Sequence, residues 1–209
     1  TSCDETAVAV VERATVVRSS VVSSQVEQHA VFGGVVPEIA GRAHVRDLVP
    51  VLAEALATAG IEGPGGSAGG IDAVAATTGP GLVGSLLTGV SAAKALSLVW
   101  GVPFVAVNHL EAHLYASFLE EPDLELPLVV LLVSGGHTML VLMEGHGRYR
   151  LLGSTLDDAA GEAYDKVARY LGLGYPGGPA IDALAMDGDP TAYAYPRSMV
   201  QENPATLSD

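Results

Sequence analysis

The sequence is short of lysine, of cysteine and of long apolar runs, and each shortage closes off a class of function. Lysine occurs only as Lys94 and Lys166. Ten Lys and Arg stand against 24 Asp and Glu, and a net charge of −14 argues against a free-standing surface that tracks a phosphate backbone. The single Cys3 rules out an internal disulfide and fits a reducing compartment. The longest apolar stretch, residues 95–107, is broken by Ser97, Gly101 and Pro103, too short and too interrupted to span a bilayer. With no secretory signal in view, the expectation is a soluble cytoplasmic protein without membrane contact. What is present is apolar and globular: 49% of the 209 residues are hydrophobic, and 25 Gly and 12 Pro follow no collagen-like period. That length suits one large or two small domains.

The expected class is α/β. β-Branched runs at 7–11 and 15–22, parted by Glu12, Arg13 and Ala14, predict a hairpin. Val45, Leu48, Val49, Leu52 and Leu56 recur at helical spacing and predict a helix over 44–59. The glycine-rich stretch 60–70 reads as an exposed connector. Residues 71–77, 82–99 and 103–107 follow as strand, helix and strand, a parallel unit. A helix over 109–119, an acidic Pro-flanked linker at 120–127 and strands over 128–152 complete the readable part, and the linker is the expected domain boundary.

A repeat organises these elements. Ser2 to Glu12 and Ser134 to Glu144 both read S-x-x-x-T, five apolar residues, Glu, and each copy opens a predicted hairpin. Two such hairpins facing one cleft can hold a phosphate chain between backbone N–H groups. Duplicated lobes with phosphate loops are the architecture of the actin, sugar-kinase and heat-shock-ATPase superfamily. The second copy is preceded by a predicted strand over 126–133, the first only by Thr1, and a second lobe as long as the first needs roughly 50 to 60 residues more. The expectation is therefore a fragment: a first lobe over 1–119, a linker over 120–127 and a partial second lobe over 128–209.

Several motifs carry chemistry. His109 and His113 stand at i and i+4, one turn apart on one helical face, where both can bind one metal; the alternative is a pair of exposed or capping histidines. Glu111 sits at i+2, about 200° round the helix from His109, so it cannot easily serve as the base of the H-E-x-x-H zinc-protease pattern. A third ligand would come from His137, an acid such as Asp165, or beyond the chain. Gly79, Gly81 and Gly84 match G-x-G-x-x-G after a strand, but no acid follows the next strand, and Ser85 stands where a phosphate-loop lysine would be needed. The same glycines serve equally as a tight turn for close helix packing. Asp157 and Asp158 suit a helix N-terminus. Asp165, one turn in and beside the glycine-rich 172–178, can accept hydrogen bonds from a ribose or adenine, and Asp182 follows a rigid turn at 174–179.

Together, Thr1 to Thr6, Gly33 to Glu38, Thr78 to Leu82, His109 to His113, Leu132 to Thr138, Asp157 to Glu162 and Tyr175 to Pro179 closely resemble the bacterial TsaD-type tRNA threonylcarbamoyltransferase family, once called O-sialoglycoprotein endopeptidase. The resemblance runs in order from Thr1 to about Asp182. It implies a two-lobed actin-like ATPase fold and transfer of a threonylcarbamoyl group from its adenylate to the exocyclic amine of the adenosine beside a tRNA anticodon. It implies that His109 and His113 ligate one divalent metal ion, iron or zinc, and that Leu132, Val133, Ser134, Gly135, Gly136, Asp165, Gly178 and Asp182 bind the adenylate. It also implies partner proteins, an actin-like paralogue and a small ATPase. The family's last metal-binding Asp and a substrate-binding Asn fall beyond Asp209. Ala112 replaces the usual Gly, and Gly41 the usual Ser before Arg42. The rival expectations are a non-catalytic ATPase-like scaffold and a small-molecule kinase of the same fold.

Overall fold

The computed structural model describes residues 1–61 and 70–195, so residues 62–69 of the expected connector and residues 196–209 of the expected second lobe lie outside the described residues. Strands β1 (Glu5–Glu12) and β2 (Val16–Ser24) form the expected antiparallel hairpin, with Arg13 and Ala14 both at positive φ in its turn. A short helix α1 (Val26–Ala30), unread in the sequence, leads to α2 (Pro37–Thr58). α2 begins well before the expected residue 44. Its first turns bury the small or polar Ala40, Ala43 and His44 rather than large apolar residues, so the hydrophobic period does not extend there, while Pro37 at the first helical position starts it.

β3 (Val74–Gly79), α3 (Val83–Trp100) and β4 (Phe104–Asn108) form the expected parallel strand–helix–strand unit. Gly101, left-handed at φ 67°, ends α3 and splits the apolar run 95–107 between a helix and a strand. By length and composition alone, α3 is apolar enough to cross a membrane. Here it packs on α2 and β3, and buries Ser85 under the carbonyl of Cys3, 3.3 Å away. Within the Gly79–Gly84 motif, close packing falls on Gly81, while a Cβ on Gly79 or Gly84 would meet open space. A Cβ on Gly81 would stand 2.6 Å from the Ser2 carbonyl oxygen, which accepts from the Leu82 N–H at 2.9 Å, and Gly41 of α2 faces the Gly84 backbone.

The helix expected over 109–119 is two pieces, α4 (His109–Tyr115) and α5 (Ser117–Glu120). β5 (Leu128–Val133), β6 (Thr138–Gly145) and β7 (Arg148–Ser154) make an antiparallel sheet in that order, so the second repeat copy does open a hairpin; β5 starts at Leu128 rather than residue 126. α6 (Ala160–Leu171) begins after Asp157 and Asp158. Those acids bond instead to Thr155 and Lys166, and the Thr138 hydroxyl accepts the Ala160 N–H. α7 (Gly177–Ala185) follows.

Leu114 and Phe118, on α4 and α5, pack with Leu132, Val141 and Met143 of the three-stranded sheet in one buried cluster. Packing therefore runs across the linker at 120–127, while α4 also touches β3 and β4. An apolar cavity of about 350 Å³ separates the edge of β1, at Val8 and Val10, from that of β3, at Ala75 and Thr77, with Leu52 of α2 and Leu96 of α3 over it.

Candidate metal and adenylate site

α4 starts where the parallel unit's second strand ends, the end at which open α/β sheets place ligands. The Asn108 side chain caps it, accepting from the N–H groups of Leu110 (2.9 Å) and Glu111 (3.2 Å). With Asn108 as the cap, His109 is not needed for capping. The Nε2 atoms of His109 and His113 stand 3.1 Å apart with their rings edge-on at 83°. Two bonds of about 2.0–2.1 Å to one ion span such a gap, so the pair fits a shared imidazole-seeking cation such as zinc or iron. Burial first, then the nearby His113 and His137, lower the His109 pKa, which keeps a ring lone pair free. Among the described residues, no third His, Cys, Asp or Glu joins the two in a cluster that could hold a metal.

The loop 134–137, between β5 and β6, is folded by one hydroxyl. Ser134 Oγ accepts from the N–H of Gly136 (3.3 Å) and His137 (3.0 Å), and the Ser134 N–H donates to the His137 carbonyl at 2.8 Å. Two of the amides expected to face a phosphate are thus engaged inside the loop. Gly135 and Gly136 are exposed, the Leu132 side chain lies in the core, and Val133 is exposed. The start of α6 presses on this loop so closely that a Cβ on Gly161 would stand 2.7 Å from the Ser134 carbonyl. Asp165 accepts from the Gly177 N–H at 2.7 Å, fastening α7 to α6. Gly178 borders open space and Asp182 is exposed on the same helix.

One hydrogen bond brings the N-terminal elements to this side. Arg169 of α6 donates to the carbonyl of Gly33. Tyr175, just before α7, has its phenol pKa pushed up to about 12, by burial first and then by the charges of Asp4 and Asp165. The loop 2–5 is itself held from beneath by a buried chain of side chains. The Val36 N–H donates to His29 Nδ1 (3.3 Å), so His29 Nε2 donates to Gln25 Oε1 (3.2 Å); the Gln25 amide then donates to His44 Nδ1 (3.3 Å), and His44 Nε2 to the Cys3 carbonyl (2.9 Å). Sequence reasoning missed this chain because its members are far apart in sequence and at no motif spacing. It missed Tyr149 of β7 for the same reason: that hydroxyl donates to Glu111 Oε1 at 2.5 Å.

The family described as TsaD, tRNA N6-adenosine threonylcarbamoyltransferase, matches residues 16–208. The chain belongs to this family. Curated relatives with the name tRNA N6-adenosine threonylcarbamoyltransferase include that of Moorella thermoacetica, 55% identical over 99% of this chain and 59% of the relative. Those of Anaeromyxobacter dehalogenans and Thermomicrobium roseum are 59% and 56% identical, over 96% and 97% of this chain and 59% and 56% of theirs. The chain thus spans well under two thirds of the relatives it matches. A solved structure of YeaZ from Pseudomonas aeruginosa is similar at a TM-score of 0.44 and 19% identity, over 74% of this chain and 62% of that one.

Proposed function

We propose that this chain is the part of a tRNA threonylcarbamoyltransferase that binds the metal and much of the adenylate, in a cytoplasmic enzyme that passes the threonylcarbamoyl group from its adenylate to the exocyclic amine of the adenosine beside a tRNA anticodon. The observation that carries the reading is the Nε2 pair of His109 and His113, 3.1 Å apart within a chain of this family. In this reading the two hairpins open the facing loops of a two-lobed actin-like fold, with lobes over 1–119 and 128–209 joined at 120–127. An actin-like paralogue and a small ATPase are its partner proteins.

His109 and His113 hold one divalent ion, iron or zinc. Bound there, the ion supplies positive charge that polarises or positions the carbamoyl-phosphate end of the adenylate. The loop 132–136 lies along the adenylate, with the exposed backbone at Gly135 and Gly136 nearest the phosphate. Asp165, Gly178 and Asp182 line the nucleoside end. Asp165 has one oxygen committed to Gly177 and one left to accept from a ribose or base. The adenosine amine is a poor nucleophile, so holding it in line against the carbonyl contributes much of the rate.

The test is transfer of radiolabelled threonine to tRNA by protein carrying this sequence together with its partner proteins. His109→Ala with His113→Ala is expected to abolish transfer and metal content together; transfer that persists would remove the metal from the reaction.

A further inference from the structure

Glu111 and Tyr115 form a second i, i+4 pair on α4, two residues out of step with the histidines and therefore on the opposite face. Among the described residues the two imidazoles hydrogen-bond only each other, whereas the opposite face is bound to the β6–β7 hairpin. The Tyr149 hydroxyl donates to Glu111 Oε1 at 2.5 Å and accepts from the Tyr115 hydroxyl at 3.2 Å. The same Tyr115 oxygen accepts from the Gly147 N–H at 3.3 Å, and its ring stacks on His146 at 5.7 Å between centroids.

We propose that Tyr149, acting through Glu111 and Tyr115, is a positioning residue for the His109–His113 pair. The inference rests on the metal-binding reading above. α4 has seven residues and gives way to α5 at Ala116, far short of the length at which a helix holds itself together in water. Chelation by residues four apart needs the turn between them to stay wound. Asn108 fastens the first turn through Leu110 and Glu111, and no side chain caps α5 beyond it. The bolt at Glu111 and Tyr115 closes the span from below, bracketing His113. Both tied residues meet Tyr149, a strand residue of β7, and strands hold position more closely than loops do.

The measurement is zinc or cobalt(II) affinity by competition with a chromogenic chelator, with the thermal midpoint of the metal-free protein recorded alongside. Tyr149→Phe removes one oxygen and is expected to weaken metal binding about tenfold, the effect typical of groups that orient ligands, and to shift the visible cobalt(II) spectrum. A purely structural tyrosine would lower the midpoint and leave affinity and spectrum unchanged, which would overturn the proposal. As a second arm, Glu111→Gln, which still accepts from Tyr149, is expected to keep wild-type affinity where Glu111→Ala loses it; equal behaviour of the two overturns the proposal as well. A wild-type protein that binds no metal defeats the underlying metal reading, whereas wild-type binding matched by Tyr149→Phe defeats only the positioning role.

Discussion

Cys3 shows how a surface side chain can be chemically silent. Burial of its sulfur first, and then the charge and hydrogen bond of Asp4, push its thiol up to about 12. The thiolate is the reactive form, so the thiol should react with a disulfide reagent at pH 8 at least a hundredfold more slowly than glutathione does. A rate equal to that of glutathione would show that the sulfur is not shielded by burial and by Asp4. His44 supplies the pH dependence. Its neutral tautomer is dictated by the Cys3 carbonyl on one side and by the Thr6 hydroxyl and Gln25 amide on the other. A second ring proton would face the Gln25 amide hydrogens, and turning that amide would break its bond to His29. Burial, the largest cause, lowers the His44 pKa below its ordinary 6.5. The unfolded chain therefore takes up the proton first, so this contribution to stability is whole above about pH 6.5 and is lost as pH falls through the folded-state value. Melting midpoints between pH 7.5 and 5 should drop, and His44→Gln, less stable throughout, should flatten that slope; an unchanged slope would assign the acid sensitivity elsewhere.

Among elements, α6 and α7 meet at a close joint. A Cβ on Gly177 would lie 2.6 Å from that of Ala168 and 2.7 Å from both the Asp165 Cα and the Tyr164 carbonyl, with backbone on two sides. Gly177→Ala should therefore cost about 1–3 kcal/mol by overpacking and release the Asp165 oxygen that holds α7. Chemical denaturation would measure it, and a change under 0.5 kcal/mol would mean the helices separate freely. Strands and helices with large apolar periods were legible in the sequence: the β1–β2 hairpin, the β3–α3–β4 unit and the strands after residue 128. Boundaries set by small residues or single side-chain bonds were not. The start of α2 hides behind Ala40 and Ala43, and the start of α6 depends on a Thr138 hydroxyl 22 residues away. At the site, the i, i+4 histidines could be read from spacing because a helix makes spacing into geometry. Tyr149 could not, since a cross-element hydrogen bond leaves no period.

At the scale of the molecule, charge sets the terms of any contact with tRNA. A net charge of −14, with only Lys94 and Lys166 as lysines, leaves few groups to displace counterions from a phosphate backbone. On the proposed function, filter binding of this chain alone to tRNA should be weak and nearly independent of salt, with affinity appearing when the proposed partner proteins are added. Tight binding that falls steeply between about 50 and 200 mM salt would refute the proposal that phosphate contacts come from partner proteins or from the rest of the enzyme. The two sides of the molecule are meanwhile joined by α4, which touches both sheets, and by Arg169 on the Gly33 carbonyl.

The apolar cavity between β1 and β3 bears on how the protein behaves at high concentration. Sheet edges in soluble proteins are commonly guarded by lysines, prolines or bulges that turn away further strands. The lining segments Ala7 to Val10 and Val74 to Thr77 carry neither a charge nor a proline, which leaves the register irregularities at their ends, Val10/Val11 and Thr77/Gly79, to turn an added backbone away. Colloidal stability must then come from the acidic surface elsewhere, and screening that surface with salt removes the repulsion that keeps these edges apart.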